Sequence, residues 1–229
     1  YTLWHTLSLH DALPICSHTD EPRPGFDHWE SFFGQGVYYN PTLNINGERI
    51  KYEDSTYITD LLTEHAIDWL QQRDKNKPFF LYLSHKAVHA EFQPARRHKG
   101  RYRGKKIALP ATYDQTKTGE WRDLNWPEWV AKQRVSWHGV DYMYHSNIDM
   151  QELVQAYCET LLGVDESIGA VMQYLEQEGL DEETLVIYMG DNGFSWGEHG
   201  LIDKRHFYEE SVKVPLLVRC PELFEGGQT

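Results

Sequence analysis

Apolar residues recur at helical spacing in two stretches of the chain. From Ile58, through Leu61, Leu62, Ala66 and Trp69, to Leu70 they fall on one face, with Asp54 or Ser55 placed to cap the first turn. The stretch "DKNKP" ends that helix. A longer stripe follows Asp149, which caps it: Leu153, Tyr157, Leu161, Val164, Ile168, Val171 or Met172, and Leu175, with Gly179 as the stop. Three short runs, "FFLYL" from Phe79, "TLVIYM" from Thr184 and "VPLLVRC" from Val214, are apolar on both faces. Strands without a polar face belong to sheets covered on both sides. Strand, helix, strand in that order predicts a right-handed parallel crossover, and so an α/β domain with a mainly parallel sheet flanked by helices.

From Pro94 to about Ile148 the pattern dissolves into a basic, aromatic segment broken by Gly and Pro, with Trp121, Trp126, Trp129 and Trp137 close together and a short helix expected from Glu128 to Arg134. Irregular segments of this length in a domain are usually functional. The tryptophans suit stacking on sugar rings or packing on the domain's own surface. With 229 residues, 40% hydrophobic and 25% charged, the chain is one globular domain or a large piece of one. No apolar run reaches the roughly 20 residues of a spanning helix. A net charge of −13 speaks against a nucleic-acid partner. Against that trend, Lys86, Arg96, Arg97, Lys99, Arg101, Arg103, Lys105 and Lys106 face only one acid in their stretch, Glu91. Such a run fits an anionic small molecule or glycan, or a solvated loop. Cys16, Cys158 and Cys220 have no metal-like or CxxC spacing, and Cys158 is expected as a small buried hydrophobe. The opening "YTLWHTLSLHDALPIC" lacks the features of a signal peptide.

In open α/β sheets ligands gather beyond the carboxyl ends of the strands. Two polar tips fall there: Ser84-His85-Lys86-Ala87-Val88-His89 after the first run, and Asp191-Asn192-Gly193 after the second. On neighbouring strands they would bring imidazole, carboxylate and amide into one cleft. Asp191 and Asn192 offer the oxygens that Ca²⁺ or Mg²⁺ prefers. An Asp-Asn-Gly stretch is equally a turn, and His89 alone is equally a core or surface residue.

The segments "PFFLYLSHKAVHAEFQPARRHKGRY", "TLVIYMGDNGFSWGEHGLIDKRHFYEESVKVPLLVRCPE" and "GFDHWESFFGQGVYYNPTLNINGERI" together resemble the formylglycine-dependent sulfatases of the alkaline phosphatase superfamily, with bacterial enzymes acting on sulfated glycans most similar. The resemblance covers nearly all of Ser17 to Thr229 and implies a partial alkaline-phosphatase-like sandwich. It also implies that Asp191 and Asn192 ligate a divalent cation, typically Ca²⁺ with Mg²⁺ possible, that polarises the sulfate. By the same resemblance, His89 touches the ester and protonates the departing sugar oxygen, and Lys204 holds sulfate oxygens. His199 falls at the substrate rim or in a structural hydrogen bond. The implied partner is a sulfated carbohydrate, and the implied location is periplasmic or secreted. These roles make physical sense: a cation and an ammonium stabilise charge on sulfate oxygens, and an imidazole titrating near neutrality can protonate a poor leaving group.

The family's nucleophile arises from a Cys or Ser in a (C/S)-x-P-x-R motif, and no such motif occurs in the 229 residues. The early Asp pair and the "GKWH" segment of similar sequences are absent too, their place before "DEPRPGFD" being taken by "ALPIC" and a few following residues. Residues 1–16 are therefore expected to be an unrelated leader and residues 17–229 a partial sulfatase catalytic domain. Negligible turnover and poor solubility are expected of this chain alone. Two rival readings remain: a phosphodiesterase or phosphonate hydrolase of the same superfamily, and a non-catalytic glycan-binding relative.

Overall fold

The computed structural model describes residues 20–113, 127–128, 143 and 148–227. The leader expected over residues 1–16, the four clustered tryptophans and the helix expected after Glu128 lie outside the described residues. The chain divides into two units, one of residues 1–101 with 156–177, the other of residues 102–155 with 178–229.

In the first unit, β1 (Glu30–Ser31), β2 (Thr42–Ile45) and β3 (Glu48–Lys51) form an antiparallel sheet in chain order. Asn46 and Gly47 join β2 to β3 with φ of 52° and 99°. Two successive left-handed residues make the tight turn whose twist matches the flanking strands, and Asn-Gly is the pair that tolerates it best. Helix α1 (Ile58–Gln72) follows. Its start corrects the expected cap: Tyr57 occupies the capping position without a side-chain bond, while Asp54 and Ser55 lie upstream in a left-handed turn with φ of 56° and 66°. The carbonyl of Tyr38 accepts from Ile58 N at 2.9 Å, so the segment before β2 satisfies a donor at the start of the helix. Ile58, Leu61, Leu62, Ala66 and Leu70 are buried as the periodicity predicts, and the first four form the core with Phe32, Tyr38, Leu43, Tyr57 and Ala95.

Helix α2 (Met150–Gln177) is capped as expected, Asp149 Oδ1 accepting from Gln151 N at 2.7 Å, and Gly179 stops it with φ of 68°. Within residues 156–177 the buried face holds Thr160, Val164, Ser167, Tyr174 and Leu175, whereas Leu161 is exposed. A polar line replaces part of the expected apolar stripe. Thr63 Oγ1 lies 2.6 Å from Ser167 Oγ, and Ser167 Oγ lies 3.0 Å from His85 Nε2. The line joins α1, α2 and the chain just after residue 83. Arg97 adds a surface staple, with two 2.7 Å bonds to Asp60 and one of 2.6 Å to Glu166. Cys158 is only half-buried.

The run Phe79–Leu83 departs from expectation. It is not a strand, and Phe80 and Tyr82 are exposed. A strand needs a neighbour's ladder, and among the described residues none pairs with it.

In the second unit, β4 (Val186–Met189) pairs with β7 (Leu216–Arg219), Val186 opposite Arg219 and Met189 opposite Leu216. Between them run β5 (Ser195–Trp196), a 3-10 turn (Glu198–Gly200), β6 (Ile202–Asp203) and the short α3 (Glu209–Val212). Among the described residues every ladder is antiparallel, so the expected parallel pairing is corrected. The physical reason is the connection: from Gly190 to Pro215 the chain returns through a hairpin and a single helical turn, without the long helix that usually carries a parallel crossover. The ribbon is apolar on both faces, as its sequence says, but Met189 is 59% exposed and Leu217 64%.

Candidate functional site

His89 closes a turn, its N–H bonded to Lys86 O at 2.8 Å. The imidazole Nδ1 lies 2.7 Å from Ala90 O. A carbonyl only accepts, so Nδ1 carries the hydrogen, and Nε2 is the nitrogen that gains and loses a proton. Three tyrosines hold the loop that follows. Tyr38 donates to His89 O at 2.6 Å, Tyr57 to Gln93 O at 3.1 Å and Tyr39 to Pro94 O at 2.8 Å. Burial pushes the Tyr57 hydroxyl up to about 12, so it stays a donor throughout the physiological range. Lys86 is 7% exposed, donates to Gln35 O at 2.9 Å and sets its ammonium 4.7 Å from the centre of the Tyr38 ring. Burial pulls Lys86 down to about 8, against the opposing pull of Glu91. His85, beside it, is pushed down to about 4 by burial and is therefore a neutral structural residue bonded to Ser167. Of this assembly the sequence singled out the tip His85, Lys86 and His89 but none of the tyrosines, of which Tyr38 and Tyr39 form the "YY" of "GQGVYYNP".

The second unit carries Asp191, Asn192, His199 and Lys204, all on the return from β4 to β7. Asp191 and Asn192 lie just past the end of β4, where the strand-end rule expects polar chemistry. Asn192 donates through Nδ2 to Gly193 O at 2.7 Å, leaving its amide oxygen as the acceptor end. Gly193 N donates to Ser211 O at 2.9 Å, and a Cβ at Gly193 would lie 2.1 Å from Glu210 O and 2.7 Å from Lys213 O. Only glycine lets the tip lie against α3 this closely. Ser195 pairs with Asp203 across β5 and β6, and Lys204 follows directly after the end of β6. On either side of Lys204, the buried Asp203 pairs with Arg205 at 2.6 Å. Lys204 itself has no carboxylate partner among the described residues. His199 stacks on Tyr208, ring centres 3.9 Å apart, and lies 3.2 Å from Glu210. Both of its expected roles stay open, since it is bonded and also partly exposed.

Carboxylate and amide oxygens suit a hard cation, and tying the Asn192 nitrogen to a carbonyl removes the ambiguity about which end faces a ligand. Asp191 and Asn192 fit such an ion as two of its six to eight oxygens, about a quarter to a third of a calcium shell. Among the described residues no three His, Cys, Asp or Glu side chains cluster as a metal site. The basic run is less available than its composition suggests: Arg97 is spent on Asp60 and Glu166, Arg96 bonds Ser55 Oγ at 2.6 Å, and Lys86 is buried. No helix among the described residues is long and apolar enough to cross a membrane.

The sulfatase family profile matches residues 11–228, and the chain belongs to the sulfatase family, with the alkaline-phosphatase-like α/β fold. It is 31% identical to the N-acetylglucosamine-6-O-sulfatase of Bacteroides thetaiotaomicron, over 99% of this chain and 47% of that protein. To the N-acetylglucosamine-6-sulfatase of Capra hircus it is 30% identical, over 86% of this chain and 34% of that protein. A solved structure of a protein in complex with its substrate D-glucosamine-2-N,6-O-disulfate superposes with a TM-score of 0.72 at 27% identity, covering 96% of this chain and 53% of the other. The chain thus spans between about a third and a half of the relatives' lengths.

Proposed function

We propose that the protein carrying this chain is a sulfuric ester hydrolase acting on sulfated glycans, with 6-O-sulfated hexosamines as the first substrates to try. One observation carries the reading: the family match spans the two segments that hold His89 and, together, the Asp191-Asn192 tip and Lys204, each residue on a loop outside regular structure. The relatives named for N-acetylglucosamine 6-sulfate support the choice of sugar.

In this reading Lys204, unpaired among the described residues, gives its ammonium to sulfate oxygens. His89 donates from Nε2 to the bridging oxygen as an oxygen nucleophile, ultimately water, bonds to sulfur and the ester S–O bond breaks with its electron pair leaving on the sugar, while the Nδ1 bond to Ala90 holds the ring. Asp191 and Asn192 would hold a divalent cation, which when bound draws electron density from the sulfate oxygens. The net reaction consumes water and yields the alcohol and inorganic sulfate. Export to the periplasm or the exterior goes with this reading, and cell fractionation tests it.

The experiment is sulfate release by the complete protein from N-acetylglucosamine 6-sulfate, beside a panel of phosphodiesters and phosphonate monoesters. Release that falls about a hundredfold in Lys204→Ala is expected. Preference for a phosphodiester or phosphonate would replace this reading with phosphoryl transfer, and absence of turnover on every ester would leave a glycan-binding protein.

A further inference from the structure

We propose that Tyr38 is the positioning residue of His89, fixing which imidazole nitrogen exchanges the proton and where it points. The proposal rests on the reading of His89 as the leaving-group acid. A loop without ladder bonds has no intrinsic geometry, and a misplacement of about 1 Å is enough to cost a general acid much of its effect. Here the main chain on either side of the imidazole is pinned. The Tyr38 hydroxyl donates to His89 O at 2.6 Å, His89 N donates to Lys86 O at 2.8 Å, and Nδ1 donates to Ala90 O at 2.7 Å. With His89 O held by the phenol, the Ala90 carbonyl is left to the ring.

Tyr38 is itself immobilised. It is 2% exposed, its ring stacks on Tyr57 at 6.1 Å with planes 16° apart, and the Lys86 ammonium sits over its ring. That ammonium also binds Gln35 O, three residues before Tyr38, and Lys86 lies three residues before His89. One buried cation therefore ties the start of the tyrosine segment to the start of the histidine turn. A buried ammonium is costly to desolvate, and a carbonyl and an aromatic face are what it receives in return. Tyr39 and Tyr57 bind carbonyls farther along the same loop, at Pro94 and Gln93, and serve as internal controls.

The test compares Tyr38→Phe, Tyr39→Phe and His89→Ala in the complete protein on two esters. One is N-acetylglucosamine 6-sulfate, whose alkoxide needs a proton; the other is 4-nitrophenyl sulfate, whose phenolate leaves without one. Tyr38→Phe is expected to lower kcat on the sugar about tenfold with KM changed by less than about twofold, and to spare the aryl ester within about twofold. His89→Ala is expected to show the same selectivity at about a hundredfold, with the double variant no worse than His89→Ala. Equal losses on both esters in Tyr38→Phe, or none, would overturn the positioning role. Should His89→Ala spare the sugar, the acid reading falls. The positioning claim is then decided by imidazole ¹⁵N shifts of His89, which are expected to report an Nδ1-protonated ring in the wild type and in Tyr39→Phe, but not in Tyr38→Phe. Unchanged shifts in Tyr38→Phe would end it.

Discussion

The core of the first unit and the β4–β7 ribbon of the second treat apolar residues in opposite ways. In the first, Leu43, Ile58 and Leu62 are fully enclosed between sheet and helix; in the second, β4 and β7 hold their Ile, Met, Leu and Val side chains largely open. Hydrophobic burial contributes in proportion to area removed from water, so packing holds α1 to its sheet, whereas the β4–β7 ribbon relies on its ladder and the buried apolar residues of the second unit lie elsewhere, at Leu201 and Ile202. The consequence for the site is direct. The loop of His89 rests on a closed core through three phenols, whereas Asp191 and Asn192 extend from a ribbon with little packed against it.

The sharpest test of that contrast is a pair of truncations. Leu62→Ala is expected to destabilise by about 2–5 kcal/mol in urea unfolding. Leu217→Ser is expected to stay within about 0.5 kcal/mol and to raise soluble yield. Equal effects would erase the distinction between the units. A smaller effect is expected at the tip: Gly193→Ala forces a methyl onto the Glu210 carbonyl and should cost about 1–3 kcal/mol. Hydrogen exchange should quicken over residues 190–213 and stay unchanged in α1.

Next in size is a pH effect confined to the first unit. Glu30 is buried, which pushes its carboxyl up, but the bonds from His28 and His65 outweigh that and leave it below its ordinary 4.5. His65 is raised above its ordinary 6.5 by its bond to Glu30, against burial. Glu30's contribution is therefore complete above 4.5 and lost as pH falls through its lowered value. That of His65 is complete below 6.5 and lost as pH rises through its raised value. Stability should peak between those limits, and Glu30→Gln should flatten the profile and cost about 1–2 kcal/mol there. A profile unchanged in the variant would remove the cluster from the account. The smallest effect belongs to Arg97→Met, at about 0.5 kcal/mol and vanishing in high salt, because its pairs with Asp60 and Glu166 are half exposed. A loss persisting at 1 M salt, where the Debye length is about 3 Å, would mean the staple acts through packing instead.

Both long helices, the Asp149 cap and the Gly179 stop were legible in the sequence, because helical periodicity and capping depend on residues within a few positions of each other. The Asn46-Gly47 hairpin went unread, because apolar periodicity does not register a turn. The runs at 79–83 and 216–219 were misread in part. Apolarity on both faces says that a segment avoids water but not which neighbour it finds, and among the described residues one run joins no ladder while the other joins an antiparallel one. Asp54 and Ser55 looked like caps, yet the donor at the start of the helix bonds a carbonyl 20 residues before it.

The sequence by itself determined the helices, the family and the chemical inventory of oxygens, imidazole and ammonium, since these depend on residue identity and short spacing. Only the tertiary structure decided that Tyr38 grips the His89 carbonyl, that Lys86 is buried on its ring, that Arg97 is occupied by acids from two helices and that the strands pair antiparallel. Each of those joins residues dozens of positions apart. Their partners are chosen by how the chain closes on itself, and no local pattern encodes that choice.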